Sequence, residues 1–288
     1  MIKGLMLTPP TLGRIAIGRV IERNGKRLPV KDDQFTITSQ VQNKDGWVLH
    51  PLDQTLRAGE NKLRAIPIRL LFNDPTLNLR AEYSLFDRTT GRPLCVGNGE
   101  TCNRAMQAET QTLPCPSPDR CEFGQSGHCK PYARLNVVID QEDELGTFIF
   151  RTTGFNSIRT LAARLQYFHA VSGGLLACLP LALKLRGKST TQSFRSTIYY
   201  ADITVRDGLT LEEAIQQAKA LHQKRLEAGY DQAALDRAAQ LGFANGAFED
   251  STEDAAEVIE EFYPEDQAAP ATHPSITLAD KLSQKVCA

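Results

Sequence analysis

The chain has 288 residues, 41% of them hydrophobic, which suffices for one substantial core or two small ones. No apolar run approaches the length of a membrane span, so a soluble protein is expected and a membrane-embedded function is not. The formal net charge of -1 conceals an asymmetry, because residues 1–210 carry 27 Lys+Arg against 19 Asp+Glu while residues 211–288 carry 6 against 15. A basic body with an acidic tail predicts a polyanion-binding surface, and a tail that competes for it or recruits a basic partner.

In chain order, residues 13–18, 34–38, 65–72 and 79–86 have the β-branched and aromatic content of strands and are bounded by turn residues. A turn over 87–91 leads into Pro93-Leu-Cys95, and residues 133–140 and 146–153 make two more strands around the polar turn 141–144. A helix follows. Asn156 or Ser157 can cap it, Ile158, Leu161, Leu165, Phe168 and Val171 share one face, Arg159 and Arg164 fall away from that face, and Gly173-Gly174 ends it. Residues 179–185 and 196–205 read as paired strands joined by 186–195.

Thr210 with Glu213 predicts a capping box for a helix over 211–226, and a second helical pattern runs from 232 to 241. From 246 to 266 there are nine acidic residues and no basic ones, the composition of a flexible segment, in which Ile259, Phe262 and Tyr263 either dock on a partner or belong to a solvated linker. The expected fold class is α+β: a mixed or antiparallel sheet with a packed helix and a zinc-binding loop insertion, then a helical segment and an acidic flexible tail. The corresponding division is a body over 1–208, helices over 209–245 and a tail over 246–288.

Chemistry concentrates in one stretch. Cys95, Cys102, Cys115, Cys121 and Cys129 fall within it, with His128 beside the last. Pro114, Pro116, Pro118, Gly124 and Gly127 interrupt the spacing Cys115-x5-Cys121-x7-Cys129, which predicts neither a regular helix nor a central strand there. A tetrahedral zinc ion held by three or four thiolates would replace the missing apolar burial, its binding energy becoming folding energy. Disulfides are the alternative, but residues 1–10 hold no apolar run of signal-peptide length and seven cysteines is an odd number, so reduced thiols and a cytoplasmic location are expected. Unpaired thiols without a role are the blandest reading, and Cys178 reads as such a packed cysteine. For the fourth ligand, Cys95-Val-Gly-Asn-Gly99 resembles a metal knuckle and favours Cys95. Cys102 is the alternative, and His128 is awkward beside Cys129. A closed four-ligand sphere is structural, since no position remains open for water.

Arg151, Arg159, Arg164, Lys184, Arg186, Lys188 and Arg195 gather around the helix and the 184–195 connection, with Phe194, Tyr199 and Tyr200 interleaved. Cations that neutralise phosphates and rings that stack bases make these candidate nucleic-acid contacts, against the plain alternative of solvated charges and core aromatics. Gly187-Lys-Ser189 is not a phosphate loop, because position 182 is Ala182 where that loop needs glycine. The five histidines are scattered, and Asp140, Glu142, Asp143 and Glu144 read as a solvated hairpin tip, so no catalytic constellation emerges.

The succession Gly13-Arg-Ile with Gly18, Pro29-Val-Lys-Asp-Asp-Gln-Phe35, Cys95-Val-Gly-Asn-Gly-Glu100 with Arg104, Cys115, Cys121 and Cys129 before Leu135-Asn-Val-Val-Ile139, and Thr152-Thr-Gly-Phe-Asn-Ser157 resembles the phage recombination directionality factor-like (Gp3-like) proteins. Relatives on plasmids and integrative elements often carry only a metal-binding label. The resemblance covers about residues 10–205 and omits the acidic tail. It implies a non-enzymatic protein of mobile-element recombination or replication that binds a large serine integrase and switches it toward excision. It carries over Cys95, Cys115, Cys121 and Cys129 as zinc ligands, whereas Cys102 stands where a small residue is expected. The leading expectation is thus a zinc-stabilised accessory protein acting on DNA, a recombinase or both. The alternatives are a nucleic-acid-binding module of an RNA-guided complex and a metal-dependent nucleic-acid hydrolase.

Overall fold

Strands β1 (Thr11–Arg23) and β2 (Lys26–Asn43) pair antiparallel from Gly13↔Ser39 to Arg23↔Lys26, and their alternation buries Ile15, Phe35 and Ile37 on one face. The structure is a computed structural model that describes residues 10–23, 26–43, 46–57, 62–106, 109–139, 146–189, 191, 195–245, 259 and 262–263. Strand β3 (Gly46–Leu49) borders β2, and the short helix α1 (Pro51–Leu56) presents the buried carboxylate of Asp53 to the Ile37 amide, 2.8 Å away, and to Arg57.

After β4 (Ala65–Arg69) and the single turn α2 (Pro75–Asn78), strands β5 (Leu79–Phe86), β6 (Pro93–Gly97), β7 (Thr101–Ala105) and β8 (Thr110–Pro114) run as an antiparallel ribbon. A short helix α3 (Glu122–Gly127) leads into β9 (Lys130–Ile139) and β10 (Thr147–Thr152). The order of the main path is β3-β2-β1-β10-β9-β5-β6-β7-β8, with β4 pairing the end of β9 at Ile68↔Ile139. Among the described strands β1 and β10 are the parallel pair, joined from Thr11↔Thr147 to Ile15↔Phe150, and the other pairings are antiparallel. The expected α+β class with a mixed, mostly antiparallel sheet is what the structure has.

Helix α4 (Phe155–Val171) buries Ile158, Leu161, Leu165 and Phe168, the predicted stripe. Its N-cap is Gly154, not Asn156 or Ser157. Ser157 is instead buried inside the first turn, and its hydroxyl accepts the Ala201 amide at 3.0 Å, so the helix satisfies part of a neighbouring strand edge. Strands β11 (Leu181–Ser189) and β12 (Thr197–Val205) pair along their whole length, and β11 also pairs β4. Strand β11 runs past Leu185, the end expected from sequence, because ladder bonds need no apolar side chains, and Arg186 and Lys188 continue it opposite Tyr200 and Ile198.

Helix α5 (Leu211–Glu227) starts with the predicted capping box: Thr210 Oγ1 accepts the Glu213 amide at 3.2 Å, and Glu213 Oε2 accepts the Thr210 amide at 2.7 Å. Ala214 and Ala218 enter the main core with Leu135, Phe150, Leu165 and Leu181. Helix α6 (Gln232–Asn245) packs Leu235 and Ala239 against Phe72 and Leu77. The acidic turn 140–145, Phe194 and most of the 246–288 stretch expected to be flexible lie outside the described residues. Phe262 and Tyr263 are described, and both are buried against Phe86 and Tyr132. Among the described residues no helix is long and apolar enough to cross a membrane.

Candidate metal centre at the sheet edge

The β6–β7–β8 ribbon brings three thiols to one face. Register Cys95↔Arg104 and Gly97↔Cys102 places Cys95 and Cys102 diagonally on that side, and the Cys115 amide bonds the Glu100 carbonyl at 2.8 Å just beyond the end of β8. Cys121 and Cys129 bracket α3, which folds over the ribbon. All five cysteines line a single cavity with Arg104, Phe123 and Gly124.

The proline- and glycine-rich stretch was expected to form no helix, yet α3 forms between Cys121 and Cys129. Cys121 caps it: its sulfur accepts the Gly124 amide at 3.3 Å. His128 takes a left-handed conformation (φ 64°) to end it, and the Cys129 amide bonds the Gly124 carbonyl at 2.8 Å. The amide-to-sulfur contact expected of a knuckle at Cys95 is therefore found at Cys121. Gly97, on the Cys95 strand, has a steric role. A Cβ there would stand 2.6 Å from Cys102 Cβ and 2.9 Å from Cys115 Sγ, so only glycine lets these strands and sulfurs approach.

A cation sits among the thiols. Arg104 Nη2 lies 3.8 Å from Cys121 Sγ, the side chain also hydrogen-bonds Cys95, and its guanidinium is 4.2 Å from the Phe123 ring centroid. Sequence reasoning gave Arg104 no chemical role, although its position two residues after Cys102 on a strand puts both on one face. Burial, followed by neighbouring thiols, pushes the Cys129 thiol up to about 12. Burial and a hydrogen bond with Cys95 push Cys102 up to about 11. Without a cation of higher charge these two groups stay protonated, whereas a coordinating divalent ion would strip the protons.

Among the described residues no three His, Cys, Asp or Glu side chains stand in ligating geometry as placed. What fits a thiophilic ion is the donor set and its support: five thiols facing one cavity, an amide aimed at Cys121 sulfur and a guanidinium beside the cluster. Cys95 and Cys102 both reach the cavity, so the choice of fourth ligand stays as the sequence left it. His128 turns to Arg88, with Nδ1 3.3 Å from its Nη2. Cys178 is buried in the main core, as expected.

The candidate nucleic-acid cations are distributed unevenly. Arg164 and Arg186 both reach the buried Asp202, at 3.0 and 3.2 Å, Lys184 pairs with Asp207, and Lys188 donates to Asn156 at 2.7 Å. Arg151 lies half-buried on β10, while Arg159 on α4 and Arg195, at a positive φ of 61°, are exposed.

No curated protein and no solved structure matches the chain. A family model described as recombination directionality factor-like does match, over residues 12–206, which takes in the sheet, the cysteine cavity and the α4–β12 layer. The chain belongs to this Gp3-like, recombination directionality factor-like family.

Proposed function

We propose that the chain is a non-enzymatic accessory protein of mobile-element DNA recombination that contacts a serine integrase, DNA or both, its cysteine module being held by a structural zinc ion. The observation that carries this reading is the family match over 12–206, which spans the folded body from β1 to β12. Cys115, Cys121, Cys129 and either Cys95 or Cys102 would hold the ion, which supplies cross-linking of the ribbon to α3. Arg104 would offset the charge of the thiolates, and Gly97 and Gly124 make room for them. A four-thiolate sphere leaves no place for substrate or water, which supports a structural role over hydrolysis.

The test is a reconstituted excision reaction with the serine integrase of the same mobile element and its DNA sites, with co-elution of the two proteins measured alongside. Stimulated excision with co-elution is the expected result. Neither effect from a folded, zinc-loaded chain would overturn the recombinase reading. Elemental analysis should return about one zinc per chain, and Cys121→Ser should lose both metal and fold. Metal loss with an intact fold and loss of a hydrolytic activity would move the assignment to an enzyme. DNA binding, measured at low salt, should fall when Arg159 and Arg195 are changed to Glu together.

A further inference from the structure

Among the described residues of the acidic stretch, Phe262 and Tyr263 pack on the body beside the cysteine module. Phe262 is fully buried and Tyr263 is 5% exposed. The Phe262 ring centroid lies 4.9 Å from that of Phe86 and 5.9 Å from that of Tyr132, both at steep edge-to-face angles. The Tyr263 hydroxyl donates to the Phe86 carbonyl at 2.8 Å, and Lys130 donates to the Phe262 carbonyl. Two cations overlie the rings: Lys130 Nζ is 4.5 Å from the Phe262 centroid and Arg88 Cζ is 4.7 Å from the Tyr263 centroid. The Tyr263 amide bonds the Ile259 carbonyl at 2.9 Å, so the docked piece is one helical turn. In sequence that turn is surrounded by Glu257, Glu260, Glu261, Glu265 and Asp266.

This seat has the make-up of a peptide site rather than of a domain core. Two aromatic side chains supply apolar area, a backbone carbonyl fixes one hydroxyl, and two cations match the acidic residues around the turn. It is small. Two buried rings contribute only about 300–500 Å², well under a standard protein interface, so a detached ligand would hold weakly. Asn245 and Ile259 are covalently linked through the 13 residues between them in sequence, and a linkage of that length places an attached turn at an effective concentration on the order of millimolar, enough to favour it over a dilute detached ligand at a weak site. The seat also borders the cysteine module: Lys130 follows Cys129, Arg88 contacts His128, and Leu85, next to Phe86, packs with Cys95 and Cys102.

We propose that the Phe86–Tyr132 seat, with Arg88 and Lys130, is a docking site for an acidic peptide bearing two adjacent aromatic residues, and that the chain's own Phe262-Tyr263 turn occupies it as a tethered competitor. A partner protein carrying such a segment displaces the turn, and docking is then coupled to release of the acidic tail. The proposal is independent of whether the cysteine cavity holds zinc.

The test uses the full chain and its Phe262→Ala/Tyr263→Ala variant, with a fluorescent synthetic peptide of residues 253–268 followed by anisotropy. The variant should bind the peptide saturably, at least about tenfold more tightly than the wild-type chain, whose own turn competes. Arg88→Glu/Lys130→Glu added to the variant should abolish that binding. A folded variant that fails to bind at about 1 mM peptide overturns the proposal, as does equal binding by the wild-type chain. A full chain with a protease site inserted between 247 and 252 covers the case in which the variant does not fold. After cleavage the tail fragment should separate from a folded body on gel filtration at low concentration. Co-elution, or unfolding of the body, would make the turn a permanent strap and end the idea.

Discussion

Gly97 lies directly against the sulfur of Cys115, with Cys102 closing the other side. Because backbone at Thr101 and the Cys102 Cβ meet any added methyl as well, the clash cannot be relieved by turning one flexible side chain. Gly97→Ala should destabilise the chain by about 1–3 kcal/mol and lower its metal content. Urea denaturation with parallel elemental analysis checks this, and an unchanged midpoint would count against the close approach.

The raised thiols give the metal-free protein a specific pH dependence. Cys129 and Cys102 titrate at about 12 and about 11 in the folded chain, above the ordinary value of 9.0. Their contribution to stability is therefore complete below pH 9 and is lost as pH rises through the folded values. The proposed zinc ion would have the opposite sign, since protons compete for the same sulfurs and would release the ion as pH falls. Denaturation midpoints across this range should drop at the alkaline end with chelator present, and at the acid end with zinc present. Parallel profiles would contradict both statements.

Asp202 is buried while the two arginines it holds are half-exposed. Asp202→Ala removes one carboxylate from two guanidiniums and should cost about 1–3 kcal/mol, the lower part of that range applying because water screens both arginines. Arg164→Ala and Arg186→Ala should each cost less, since the other arginine still pairs the carboxylate. Thermal unfolding of the three variants checks the order. It also explains why Arg164 is a poor probe of DNA contact, in contrast to the exposed Arg159.

Thr210→Ala removes the reciprocal cap of α5 and should cost about 0.5–2 kcal/mol without altering the cysteine module. Chemical denaturation and metal content, measured together, separate the two effects. Loss of metal in this variant would show that the module depends on α5.

Features set by near neighbours were legible in the sequence. The α5 capping box spans four residues, Thr210 to Glu213, and the Leu161–Leu165 stripe follows from helical spacing alone. Strands were legible where apolar β-branched and aromatic residues concentrate, as in β4, β5, β9, β10 and β12, but β3, β7, β8, the outer parts of β1 and β2 and the far end of β11 were not, because there ladder bonding rather than apolar burial holds the strand, as at Arg186 and Lys188. The thiols were legible as a set from composition. Their gathering depends on cross-strand register, which places Cys95 and Cys102 on one face, and on a helix that local propensity argued against. Sulfur capping at Cys121 and the left-handed turn at His128 stabilise that helix, and neither is visible without the fold. The pairing of Asp202 with Arg164 and Arg186 crosses 38 and 16 positions of the chain, beyond the reach of periodicity.

The parallel pairing of β1 with β10 couples residue 11 to residue 147 and so sets an order of assembly. During synthesis the β1–β2 hairpin can form early, but the neighbour that covers its inner edge emerges only after the cysteine module and β9 have been made. Such distant pairing slows folding. Nascent chains halted before residue 130 should accordingly remain open to protease across Phe35 and Ile37, with protection arriving once β12 has left the ribosome.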